Sequence, residues 1–199
     1  MMKRVFAALI SILAFALCQS AQAQTTATAL KHFAAHGLSF DYPATIELDD
    51  RSNAIGQHLI LQSKGGAQMM VVARFAQINT PEELLSARHE VVDSFIATMW
   101  QQIQTDDPSV SRADAKIEIA NAQAAGVRMR AVLNNEPGNA EIYSLQLGPR
   151  LVLVTLIGSD REIAASAAAW LALRRSIKIE TASEVATFSR KLVDQLSCK

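Results

Sequence analysis

The residues of this 199-residue chain that could do chemistry are few, and their spacing limits what each could do. His32 and His36 are four apart, as two metal ligands on one helical face would be, but no third ligand lies nearby. His89 and Asp93 also stand at i and i+4 and can meet on a predicted helix. A zinc-protease pair, however, needs a second histidine at position 93. His58 heads a strand and is expected at the surface or an edge. Ser159 follows Gly158 at a strand-to-helix junction, the position of a nucleophile elbow. Ile157 and Arg161 stand where the G-x-S-x-G frame needs glycines, so Ser159 reads as a helix cap. Cys198 has few neighbours that could lower its pKa, and its one evident use is to cross-link two chains. Gly65-Gly66 is too short for a phosphate loop and makes sense as a hairpin turn. Arg128 and Arg130 share a strand face and could grip an anion. The simpler expectation is an exposed ladder with Glu141 as cross-strand partner. No catalytic, cofactor-binding or metal-ligating residue is assigned.

The front of the chain carries an address rather than a fold. Lys3 and Arg4 precede an apolar run over 5–17, and Ala21-Gln22-Ala23 supplies small residues at the cleavage-determining positions. This is the layout of a secretory signal peptide with cleavage after Ala23. The run is short for a hydrocarbon core that needs roughly 20 residues. Cys18 suggests a lipoprotein instead, but Leu17 stands where such signals carry Gly, Ala or Ser. The remainder suits one domain with a sizeable core. The full chain has 19 basic and 19 acidic residues, so losing Lys3 and Arg4 leaves a slight acidic excess. Nothing in that balance forms a footprint for nucleic acid or anionic lipid. Cys198 alone remains after cleavage, which excludes an internal disulfide.

The pattern predicts a flexible lead-in over 24–35 and one folded domain over 36–199. Leu38, Phe40 and Tyr42 alternate with Ser39 and Asp41 as a half-buried strand closed by Pro43. A short strand is expected over 45–48, and a hairpin over 58–63 and 68–75 with its turn at Lys64-Gly65-Gly66-Ala67. In that hairpin Val71, Ala73 and Phe75 share one face; Met70, Val72 and Arg74 share the other. Thr80-Pro81-Glu82-Glu83 is a helix start, and the helix runs to about Ile103. Its buried stripe is Leu84, Val91, Phe95, Met99 and Ile103, widened by Val92, Ile96 and Trp100. Thr105 to Pro108 ends it. Strands follow over 116–121, 126–133, 141–147 and 150–157, with turns at 134–139 and Gly148-Pro149. The last of these strands is apolar on both faces and predicts a central strand with helices above and below. Ser159-x-x-Glu162 opens a helix through about Leu173, with Ile163, Ala167, Trp170 and Leu171 inward. Thr181-x-x-Glu184 opens a final one.

The succession "GLSFDYP", "TPEELL", "AAGVRMRAV" and "EIYSLQLGPRLVLVTLIGSD" resembles the PsbP-like superfamily, which includes DcrB-like and Mog-type proteins, over residues 36–180. The chain has Ile46 where many relatives carry Trp after the Pro. The resemblance implies an α+β fold: an αβα sandwich with a mainly antiparallel central sheet. It implies no shared catalytic residues, and no cofactor is expected. The expectation is a periplasmic or secreted non-enzymatic binding or adaptor protein. Its partner would be another envelope protein or membrane complex, not nucleic acid. A periplasmic hydrolase-type enzyme and an immunity or inhibitor protein against a toxin are the alternatives.

Overall fold

The computed structural model describes residues 29–180. The expected signal peptide, Cys18, the expected helix start at Thr181 and Cys198 lie outside these. Leu30–Ala35 (β1) and Leu38–Pro43 (β2) form a hairpin, and Lys178–Ile179 (β10) pairs with the other side of β2. Thus β2 is the middle strand of a small sheet. Part of the expected lead-in is itself a strand. Its turn is His36-Gly37, both at positive φ (48° and 77°), so the tight two-residue connection of a type I′ hairpin is made. Phe33, the main apolar side chain β1 contributes, stacks on Phe40 with ring centroids 5.0 Å apart.

The larger sheet contains Glu47–Asp50 (β3), Gly56–Gln62 (β4), Gln68–Arg74 (β5), Ser111–Ile119 (β6), Ala122–Leu133 (β7), Glu136–Leu147 (β8) and Arg150–Ser159 (β9). Its order is β3-β4-β5-β9-β8-β7-β6, with every neighbour antiparallel. The doubly apolar β9 therefore occupies the centre, as its pattern requires. Val152, Val154 and Leu156 enter one core, and Leu151 and Leu153 the other.

Residues from Pro81 to Asp106 cover the second core in three continuous pieces. These are Pro81–Ala87 (α1), a π-helical segment Arg88–Asp93 and Ser94–Asp106 (α2). Thr80 caps the start by accepting from Glu83 N (3.2 Å), and the Glu83 carboxylate accepts from Asn79 N. The wider π turn shifts the helical phase. Val92, Ile96 and Ile103 are consequently the buried positions, while Val91, Phe95, Met99 and Trp100 flank them half-buried. Asp107 receives Val132 N and the Ser109 hydroxyl and amide, which fastens the helix end to β7. The Ser109 hydroxyl, helped by those amides, holds its carboxyl below the usual range.

The first core lies under Asp160–Ala165 (α3), Ala167–Ser176 (α4) and the small sheet. Ser159 and Glu162 form a full capping box. The single helix expected over 159–173 is broken at Ser166, whose buried hydroxyl accepts from Ala67 N (2.9 Å) in the β4–β5 turn. That break changes which residues face inward: Ala169, Trp170 and Leu173 are buried, whereas Ala167 and Leu171 are exposed. Further boundaries move, and β7 begins at Ala122 rather than 126. Strand β6 starts earlier than expected and stops at Ile119, before a type I′ turn at Ala120-Asn121. Only Asn134-Asn135 of the expected 134–139 turn is a turn, and Glu136 to Asn139 is paired strand. The αβα sandwich with an antiparallel central sheet is the fold observed.

Candidate anion-binding cleft

Most sequence candidates are placed singly. His32 sits on exposed β1 with Nδ1 2.7 Å from Asp41, and His36 lies in the adjacent turn, so the two share no helical face. His89 and Asp93 do meet, 3.2 Å apart, on the exposed side of the π-helical segment. No cluster of three metal-ligating side chains occurs among the described residues. Ser159 is a buried cap, Gly65-Gly66 is the hairpin turn, and His58 lies on β4. Arg130 grips Asp160.

Arg128 and Glu141 are direct cross-strand partners on β7 and β8, with Arg128 Nε donating to Glu141 Oε1 at 2.8 Å. The other Glu141 oxygen accepts from the Tyr143 hydroxyl at 2.9 Å. Tyr143 is 1 % exposed, and burial together with the Glu141 charge pushes its pKa up to about 12. Ionisation of Tyr143 is therefore disfavoured in the fold relative to the unfolded chain. The stability this contributes is intact below about pH 10 and is lost as pH rises through about 12. Alkaline unfolding followed by circular dichroism should show a transition in that window. Tyr143→Phe should remove roughly 2–3 kcal/mol of the pH dependence between its ends. An unchanged alkaline slope in the variant would mean that Tyr143 does not control it.

The buried cation not singled out from sequence is Arg150. It opens β9 directly after the Gly148-Pro149 turn, and it is 6 % exposed. Its Nε donates to Arg74 O (2.7 Å), Nη1 to His36 O (2.9 Å) and Nη2 to Gln57 Oε1 (2.9 Å), with Ala73 O further off at 3.4 Å. Gln57 is itself fully buried and donates from Nε2 to Ala35 O at 2.8 Å. The fork thus ties the first hairpin turn to β4 and β5. All these acceptors are neutral. Among the described residues no carboxylate comes within ion-pair distance of Arg150. Burial lowers its pKa, yet a guanidinium stays charged at any physiological pH.

This charge lies at the wall of a cleft of about 410 Å³ shared with His36, Phe75, Pro149, Ile179 and Glu180. The Phe75 ring centroid is 5.2 Å from the guanidinium carbon, and the His36 ring meets Phe75 edge-on at 5.5 Å. Glu180 is turned to other partners, accepting from the Ser39 hydroxyl and pairing with Lys178, each at 3.2 Å. A guanidinium has five donors in a fixed fork, and four contacts to neutral acceptors leave it both a donor and a net charge. Such an arrangement suits a carboxylate or similar anion attached to an apolar group that can lie on Phe75 and Ile179. Nothing in the sequence signalled it. Arg150 follows a Gly-Pro turn and Gln57 is a single amide in an apolar strand, and only the fold brings them together.

No family profile matches the chain, and no curated protein does. Among solved structures, the chain is similar to cyanobacterial PsbP (CyanoP) from Synechocystis sp. PCC 6803, at 12% identity and a TM-score of 0.47, covering 78% of this chain and 95% of that one. It is also similar to PA94, a protein of unknown function from Pseudomonas aeruginosa, at 11% identity and a TM-score of 0.33, covering 71% and 91%.

Proposed function

We propose that the protein is exported to the periplasm and acts there by binding, taking an anionic group of an envelope partner into the Arg150 cleft. The observation that carries this reading is a buried guanidinium at a cleft wall with neutral acceptors only. A buried cation without a counter-charge is costly to hold, and a ligand carboxylate recovers part of that cost when it binds. The basic start, apolar run and Ala21-Gln22-Ala23 support export.

The test is affinity capture of the tagged full chain from a periplasmic extract. The mature chain should begin at Gln24, and a single envelope protein should be enriched. Added N-acetylphenylalanine should displace that protein, and Phe75→Ala should weaken its capture. A chain retained in the cytoplasm with residues 1–23 intact would contradict export. Capture indifferent to the competitor would contradict the cleft.

A further inference from the structure

Among the described residues β6 is one of the two edge strands of the seven-stranded sheet, β3 being the other, and its charge pattern specifies what it can pair with. Ile119 and Ala122 flank the two-residue Ala120-Asn121 turn, whose φ values are 53° and 60°. In such a hairpin the flanking residues exchange main-chain hydrogen bonds with each other. By alternation, the odd residues of β6 then bond to β7 and the even ones point their N–H and C=O groups away from the sheet. A contact at the strand end agrees: Arg174 of α4 donates from Nη1 to Glu118 O at 3.3 Å. Its own carbonyl accepts from Ala120 N at 2.8 Å. That clamp takes up only the Glu118 carbonyl, leaving its carboxylate exposed, and among the described residues the main-chain groups from Arg112 to Lys116 stay open.

The same even positions carry Arg112, Asp114, Lys116 and Glu118, alternating in sign along one face, all exposed. None forms an ion pair among the described residues. The geometry points to a second copy of this chain as the occupant, paired antiparallel about a two-fold axis at Ala115. In that register Asp114 lies opposite Lys116 of the other copy and Arg112 opposite Glu118, so every charge meets its opposite. The Asp114 and Lys116 pairs are those whose outward groups can exchange hydrogen bonds. Ala115 meets Ala115 at the close-approaching position that small side chains allow, and Ala113 meets Ile117. Moving the axis by one residue either way sets Arg112 against Lys116, or Asp114 against Glu118. The alternation therefore both selects one register and repels its neighbours, as an edge strand must to avoid indiscriminate pairing. The result is one sheet continuous across a two-fold dimer.

Sedimentation equilibrium of the full mature chain from about 10 µM to 1 mM tests this. The wild type should show a reversible monomer–dimer equilibrium that weakens as salt rises. Lys116→Asp sets two carboxylates opposite each other at both symmetric sites and should weaken the dimer about ten-fold or more. The double variant Asp114→Lys/Lys116→Asp restores opposite charges and should return affinity to within about three-fold of wild type. Circular dichroism confirms that each variant is folded. A chain monomeric at every concentration, a single variant that dimerises like wild type, or a double variant without recovery overturns the inference.

Discussion

Replacing Gly126 by alanine is expected to cost about 3 kcal/mol or more, enough to deplete the folded chain in cells. A Cβ at this position would overlap the carbonyl oxygen of Ile142 and stand 2.8 Å from both Cα and Cδ1 of Tyr143. The first two are backbone atoms of β8, so no side-chain rotation relieves the contact, and β7 and β8 would have to part. The Tyr143 ring lies against Gly126 while its hydroxyl is held by Glu141, so movement there also disturbs the Arg128–Glu141 pair. Gly65 is the control. Its φ is 72° and nothing lies within 4 Å of an added Cβ, so alanine there should cost only about 1 kcal/mol. Urea unfolding of the two variants compares them directly. A Gly126→Ala protein as stable as Gly65→Ala would show that β7 and β8 are not packed this closely.

Arg150→Met should be the second severe change. Methionine fills comparable space but leaves the buried Gln57 Oε1 without its donor and removes the donors to the part-buried carbonyls of Arg74 and His36. Each orphaned group costs roughly 1–3 kcal/mol, offset in part by no longer burying a charge. A net loss of about 3 kcal/mol corresponds to a fall in Tm of roughly 6–12 °C for a domain of this size. The loss should also be local. The His36-Gly37 turn is pinned through the His36 carbonyl, so its amides should exchange faster in the variant than in wild type at matched global stability. Arg150→Lys keeps the charge without the fork and should recover only part of both effects. If turn protection is unchanged in Arg150→Met, the fork is not what fixes the turn.

The elements that were legible in the sequence were those whose local signals agreed with their tertiary roles. Thr80 and Ser159 cap where their spacing to Glu83 and Glu162 said they would. Strands β5 and β9 alternate or run apolar according to how many faces are covered. Strand β1 was missed because "LKHFAA" lies on an exposed edge and Phe33 is its one strong apolar anchor. Glu136 to Asn139 has turn composition yet pairs within the sheet. Beside the two-residue Asn134-Asn135 turn Val132 and Pro137 form a non-hydrogen-bonded pair, so the missing Pro137 N–H costs this ladder nothing and the Val132 N–H points outward to Asp107. The helix break at Ser166 depends on a hydrogen bond to Ala67, 99 residues away, and no local pattern encodes it. The cleft is the extreme case. Arg150 binds groups on β4, β5 and the first hairpin turn, so its role exists only once those segments meet.

The most direct test of the binding account is a ¹H–¹⁵N titration of the mature chain with N-acetylphenylalanine and, in parallel, with its carboxamide. The account predicts saturable shifts at the Gly37 amide and the Arg150 Nε–Hε for the acid, and none for the neutral amide. Equal responses to both, or shifts confined to residues remote from Arg150, would contradict it.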